Sequence, residues 1–303
     1  MRGWLRRKLR APALPAADGV SAPPQADAYS GRDKWQAMAG SARARAQQQI
    51  AGQVGAAAGV DGWSGWCGLC RVPVAFSLPS AASGQAPNLR EEMSCPRCRL
   101  IARNRAAFAL LIDGLDLDKS RVYLTEQASV AYLWLQAQCP GLVGSEYGLD
   151  AVKRAHLQSW YASMGGRGEL AERDVTRLDL EDASLDVIGS FDVLEHVPDY
   201  PAALREFARC LRPGGRLVLT VPFIDSAADS VLRARVRDDG SIEHLLPPEI
   251  HGDPVSGGVL CFHHFGWDLL SACQAAGFRR AQWVRTWSPR EGLFGLWTLV
   301  ARR

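Results

Sequence analysis

The part of this chain that most restricts its fold runs from residue 185 to residue 222. LDVIGSFDV (185–193) is a near-continuous apolar run, too short for a buried helix. The segment after it places Leu204, Phe207, Ala208 and Leu211 on one helical face, RPGG (212–215) stops that helix, and RLVLTVP (216–222) is a second apolar run. Strands apolar on both sides must be covered on both sides. Two such strands joined by a helix lie parallel, with a right-handed crossover. The rhythm continues in both directions. VYLT (122–125) predicts a strand, 128–138 a helix, LVGSEY (142–147) a strand with a short helix to about Trp160, and GELAERDV (168–175) a further strand. Near the end, 266–276 predicts a helix, and RAQWVRTW (280–287) and FGLWTLVAR (294–302) a closing antiparallel hairpin. The expected fold class for 119–303 is therefore α/β, a mostly parallel seven-stranded sheet with helices on both faces. Residues 223–265 interrupt it with prolines and most of the six histidines, and predict an inserted lid.

Upstream, the pattern changes. Residues 1–29 are rich in Ala, Pro and Arg and predict a disordered basic tail. Residues 30–65 predict one amphipathic helix, carrying Trp35, Met38, Ala42, Ala46 and Ile50, with a possible capping box at Ser30 and Asp33, then a Gly/Ala-rich linker. Residues 66–118 hold short strands, turns and a helix marked by Phe108, Leu111 and Ile112. Within them, Cys67-x-x-Cys70 and Cys95-x-x-Cys98 form two knuckles that can bring four thiolates tetrahedrally onto one zinc ion. Four sulfurs leave no open position, so the expected role is structural, stapling a module short of core. The chain shows no export signal and no transmembrane run, so a cytoplasmic location and reduced cysteines are expected. Cys139, Cys210, Cys261 and Cys273 are scattered and read as core.

SFDVLEHVPDYPAALREFARCLRPGGRLVLTVPF (190–223) resembles the stretch of class I S-adenosylmethionine-dependent methyltransferases from the fourth strand to the fifth, where an R-P-G-G turn before an apolar strand is typical. ERDVTRLDL (172–180) is similar to that family's third-strand loop, and FGWDLLSACQAAGF (265–278) to the helix before its last hairpin. The resemblance implies a Rossmann-like domain that binds S-adenosylmethionine at the carboxyl ends of its strands. It implies that Glu146 accepts from the ribose hydroxyls, Asp174 from the adenine amino group, and Val175 packs on the ring. Phe191 and Asp192 would line the methionine side, and Glu126 would reach the amino group. The sequence departs from the family in the first loop. TEQASVAY (125–132) has none of the glycines expected there, although Ala128 and Ser129 are small.

Methyl transfer needs an in-line nucleophile and proximity, and an oxygen acceptor gains from a general base. His196, in the segment after the fourth strand, and His251 with Asp253, in the insertion, are the candidates. His251, His263 and His264 form a second conceivable metal set whose spacing is not diagnostic. The favoured reading is a methyltransferase for a small-molecule or glycan-type acceptor. One alternative is an RNA methyltransferase that reads RNA through the zinc module and Arg97, Arg99, Arg103 and Arg105. A net charge of +3 and the lack of interleaved aromatics disfavour nucleic acid. The other alternative is a non-catalytic scaffold on a degenerate methyltransferase fold. Oligomeric state is not legible.

Overall fold

The computed structural model describes residues 24–58, 62–83, 85–252 and 258–303. Residues 1–23 of the basic tail expected at 1–29, and the candidate Asp253, lie outside the described residues.

In chain order, β1 (Gln25–Tyr29), α1 (Arg32–Ala39) and α2 (Ala42–Ala58) precede the hairpin β2 (Trp63–Cys67) and β3 (Val72–Phe76) and a short α3 (Pro79–Ala82). Then come α4 (Ala102–Ile112), β4 (Val122–Leu124), α5 (Val130–Gln136), β5 (Leu142–Gly144), α6 (Ala151–Ser163), β6 (Leu185–Phe191), α7 (Tyr200–Cys210) and β7 (Leu211–Thr220). The insertion holds β8 (Val231–Leu232), β9 (Ala234–Val236), β10 (Ile242–His244), β11 (Ile250–His251), β12 (Val259–Leu260) and β13 (His263–His264). The chain closes with α8 (Leu269–Ala275), β14 (Arg280–Ser288) and β15 (Leu293–Arg302).

A seven-stranded sheet runs in the order β1-β14-β15-β7-β6-β4-β5. β5, β4, β6 and β7 pair in parallel, and β7, β15, β14 and β1 pair antiparallel. The expected seven-stranded α/β sheet is present, and it is more mixed than the mostly parallel one expected, for two reasons. The strand expected in 168–175 is reduced to one parallel bridge, Glu146 to Glu172. In its place β1, expected to be disordered, pairs along the outer edge of β14 and blunts it. β1 is held there by Tyr29, which is buried and meets Trp35 and Trp297 edge-on, each at 5.5 Å.

Two further expectations change. The single helix after residue 30 is two, broken at Gly40, and the second runs through Ala58 into the stretch expected to be linker. No side chain caps the first, so the Ser30 capping box is absent.

The zinc-type module is not a separate bead. One apolar core runs from Val54, Trp63, Phe76 and Met93 through Phe108 and Leu111 to Val122, Leu124, Val218 and Leu296. A glycine lets α4 lie close against the sheet. A Cβ on Gly189 of β6 would stand 2.5 Å from Leu124 Cδ2 and 2.6 Å from Leu111 Cδ1. In the insertion, three two-stranded ribbons (β8 with β13, β9 with β10, β11 with β12) fold over the carboxyl end of β6, where Phe262 N–H donates to the Glu195 carbonyl. Among the described residues no helix is long and apolar enough to cross a membrane.

Candidate active site

The chain leaves β4 toward β5 on one side and returns to β6 on the other. That change of direction opens a crevice at the carboxyl ends of the strands, where ligands of open α/β sheets bind. Glu126 follows β4, Glu146 follows β5, and Asp192 follows β6 with φ 54°, a left-handed conformation costly for a non-glycine residue. Such strain is held in place only by surrounding contacts, which here are ionic. Arg90 donates to both Asp192 oxygens, at 2.9 and 3.0 Å. Arg103 of α4 lies 3.3 Å from Asp192 Oδ2, pairs with Glu91 at 3.1 Å and donates to Thr220 Oγ1 at the end of β7 at 3.3 Å. Against the cost of burial, Arg103 and Arg90 hold Asp192 below the usual carboxylate range. Burial, followed by the fields of Glu146, Asp192 and Glu195, pushes the Glu126 carboxyl up to about 8 against the downward pull of Arg103. The crevice is therefore rich in carboxylates, and a cation brought into it would lower the energy of all of them.

The glycine-poor first loop is fixed by side chains. Buried Gln127 donates to the Glu169 carbonyl at 3.0 Å and accepts from Ala171 N at 2.9 Å. Ser129 caps α5 by accepting from Tyr132 N at 3.0 Å. Ala128 N–H donates to Glu146 Oε1, so the loop backbone touches the carboxylate expected to meet a ribose. Asp174 lies in the loop after the bridge, where its Oδ1 accepts from Thr176 N and Oγ1 at 2.8 and 2.7 Å. Val175 is buried in the core with Tyr123 and Ile188. Phe191 is buried against Phe108, with ring centroids 5.2 Å apart.

The sulfurs of Cys67, Cys70, Cys95 and Cys98 lie within 4.8 Å of one another. Cys67 to Cys98 is 3.9 Å and Cys70 to Cys95 is 4.0 Å. Tetrahedral zinc with sulfurs at about 2.3 Å sets S–S separations of about 3.8 Å, so the donor set fits that ion. Arg105 sits beside it, buried, 4.0 Å from the Phe76 ring centre and donating to the carbonyls of Met93, Glu291 and Gly292. Its charge opposes the excess negative charge that four thiolates leave on a divalent ion. Of the four arginines considered for RNA, Arg103 and Arg105 are thus spent internally, and only Arg97 and Arg99 face solvent.

The structure brings His196 and His251 together, with ring centroids 5.0 Å apart. Between them lies Glu195, fully buried and not singled out from the sequence. His251 Nδ1 is 3.6 Å from Glu195 Oε1, and His251 Nε2 is 3.0 Å from Glu249 Oε1. Glu195 and, after it, Glu249 push His251 up to about 9. His264 also meets Glu249, at 3.0 Å, whereas His263 turns away to the Pro198 carbonyl. The trio of His251, His263 and His264 is therefore not assembled. Adjacency to His196 gave the only sequence signal for Glu195, since His251 lies far along the chain.

One hollow lies beside these groups and another is remote from them. A cleft of about 320 Å³ is lined by Arg90, Val221, Phe223, Phe294, Gly295 and Trp297, next to the Arg90–Asp192 pair. A larger one, about 510 Å³, lies by Gln136, Cys139 and Leu142 at the amino end of β5, away from the carboxylates and histidines described above.

Residues 128–219 match the family model described as a methyltransferase domain. The chain is 40% identical over 68 residues to 27-O-demethylrifamycin SV methyltransferase of Amycolatopsis mediterranei, covering 22% of this chain and 25% of that protein. It is 37% identical over 117 residues to arsenite methyltransferase of Aquipseudomonas alcaligenes, covering 35% and 32%. The matches thus span about a quarter to a third of these relatives' length. A solved S-adenosylmethionine-dependent methyltransferase from Mesorhizobium loti aligns over 65% of this chain and 96% of its own, at 17% identity and TM-score 0.43, a likeness too loose to bear on function. The family match over residues 128–219 and the strand order around the crevice support a class I S-adenosylmethionine-dependent methyltransferase fold for the α/β domain.

Proposed function

We propose that this chain transfers a methyl group from S-adenosylmethionine to a small-molecule or glycan-type acceptor, with a structural zinc ion in the four-cysteine cluster. The observation that carries the reading is the acidic crevice at the switch point. S-adenosylmethionine brings a sulfonium and an ammonium, and Glu126, Glu146 and Asp192 supply the complementary charge. In this reading Glu146 accepts from the ribose hydroxyls and Glu126 from the ammonium, while Phe191 and Asp192 border the methionine side. Asp174 and Val175 border the adenine. The ammonium would hold Glu126 ionised, which its raised pKa otherwise resists at neutral pH.

The cofactor supplies an electrophilic methyl carbon, and the protein's task is to hold a nucleophile in line with the breaking C–S bond. The aromatic cleft beside Arg90 suits an acceptor with a flat or ring-shaped face. His196 is the candidate proton acceptor, and His251 could serve as one only after giving up the proton that Glu195 and Glu249 favour. Asp253 remains a candidate by sequence alone. The internal use of Arg103 and Arg105 weighs against RNA as the acceptor.

The test is to incubate the chain with methyl-labelled S-adenosylmethionine and fractionated extract of the source cells. Label should enter the small-molecule or glycan fraction and fail to do so with a Glu146→Ala variant. Label in RNA alone would overturn the acceptor class.

A further inference from the structure

We propose that Glu195, His196 and His251 form a site for a first-row divalent metal ion, separate from the four-cysteine cluster, where the insertion meets the carboxyl end of β6. One ligand atom from each of the three lies within 4.8 Å of the others. Glu195 is 0% exposed, and neither of its carboxylate oxygens has a hydrogen-bond partner. An ionised carboxylate buried in this way is costly unless something positive meets it. What faces it are two ring nitrogens, His251 Nδ1 at 3.6 Å and His196 Nε2 at 3.9 Å from Oε1.

The far side of each ring decides what those nitrogens can do. His196 Nδ1 lies 2.8 Å from the Leu260 carbonyl, which can only accept, so Nδ1 carries the proton and Nε2 can present a lone pair toward Glu195. His251 Nε2 lies 3.0 Å from Glu249 Oε1, which fixes a proton on Nε2 and leaves Nδ1 facing Glu195, where a bound ion would take the place of the second ring proton. Glu249 is itself held by Arg233 and His264, at 3.1 and 3.0 Å. Two imidazoles, each anchored through its outer N–H and turned toward one carboxylate, are the arrangement that fixes tautomer and orientation in metal sites. The donor set of two nitrogens and one carboxylate suits iron, cobalt, zinc or manganese rather than calcium or magnesium. Three protein ligands leave coordination positions open. An ion here would hold an oxygen of a bound molecule beside the crevice, so the acceptor class it favours is one carrying a hydroxyl or carboxylate group. The metal site itself does not depend on methyl transfer.

The test is Co²⁺ titration of the full chain, with the four-cysteine cluster left loaded with zinc, followed by absorbance and elemental analysis. The expected result is one further equivalent of Co²⁺ whose spectrum lacks thiolate charge-transfer bands. His196→Ala and His251→Ala should each weaken it by at least about 100-fold, and Glu249→Gln by about 10-fold. Glu195→Gln should lose the metal-dependent rise in melting temperature while the metal-free protein melts no lower than wild type, because an unpartnered charge has been removed. No saturable Co²⁺ beyond the cysteine cluster in the folded protein would overturn the proposal, as would binding unchanged in both histidine variants.

Discussion

Replacing Arg103 by Met tests how the N-terminal module is joined to the crevice. The side chain of Arg103 is 13% exposed and that of Asp192 is 19% exposed, so their 3.3 Å pair is largely out of water. The substitution keeps most of the side-chain volume but leaves Asp192 and Glu91 without one cation, and Thr220 Oγ1 without a donor. Breaking a buried pair by removing one partner costs about 3–5 kcal/mol. Arg90 still donates twice to Asp192, so the lower end applies, about 3 kcal/mol. For a domain of this size that corresponds to a fall in melting temperature of about 6–12 °C. The pH dependence follows from Asp192, whose folded pKa lies below its ordinary value of 3.8. Its stabilisation is present above that ordinary value and is lost as pH falls through the folded one. The penalty measured by urea denaturation should therefore be full at neutral pH and shrink in acid. A loss below about 1 kcal/mol, or one that grows toward acid pH, would refute the ionic account of the junction.

Three further outcomes are expected. Cys95→Ser should bring zinc by elemental analysis close to zero, and hydrogen exchange should show the β2–β3 hairpin and the knuckles losing protection. Glu126→Gln should remove a pH term. A carboxyl raised to about 8 gives stability that is lost as pH climbs through that value, so wild type should lose about 1.4 kcal/mol relative to the variant between about pH 7 and 9 by denaturant titration. Gly189→Ala should force its Cβ onto Leu124 and Leu111, and cost about 1–3 kcal/mol by the same measurement.

The central α/β elements were legible because their signal is local. The apolar runs of β6 and β7, the amphipathic face of α7 and the RPGG helix stop each fit in one short window, and the structure places the strands and the helix there, with Leu211 and RPGG taken into the start of β7. The two knuckles were legible for the same reason. β1 was not, because QADAY sits in an Ala/Pro-rich stretch and its partner β14 lies at the other end of the chain. Nor was the fate of Arg103 and Arg105. A charge on a helix reads as solvated until a second element closes over it, and here that element comes from residues 90–93 and 291–292. The carboxylates of the crevice were located by their position after strands. The pairing of Glu195 with His251 depends on how the insertion folds back, which no spacing encodes.

Isothermal titration of the purified chain with S-adenosylmethionine tests the central claim most directly. The account predicts a single saturable site, with affinity weakened at least about 10-fold by Glu146→Ala, the loss of about 1.4 kcal/mol of ribose contact. The absence of heat or saturation at millimolar cofactor, with folded and zinc-loaded protein, would contradict it and leave the chain a scaffold that kept the fold without the chemistry.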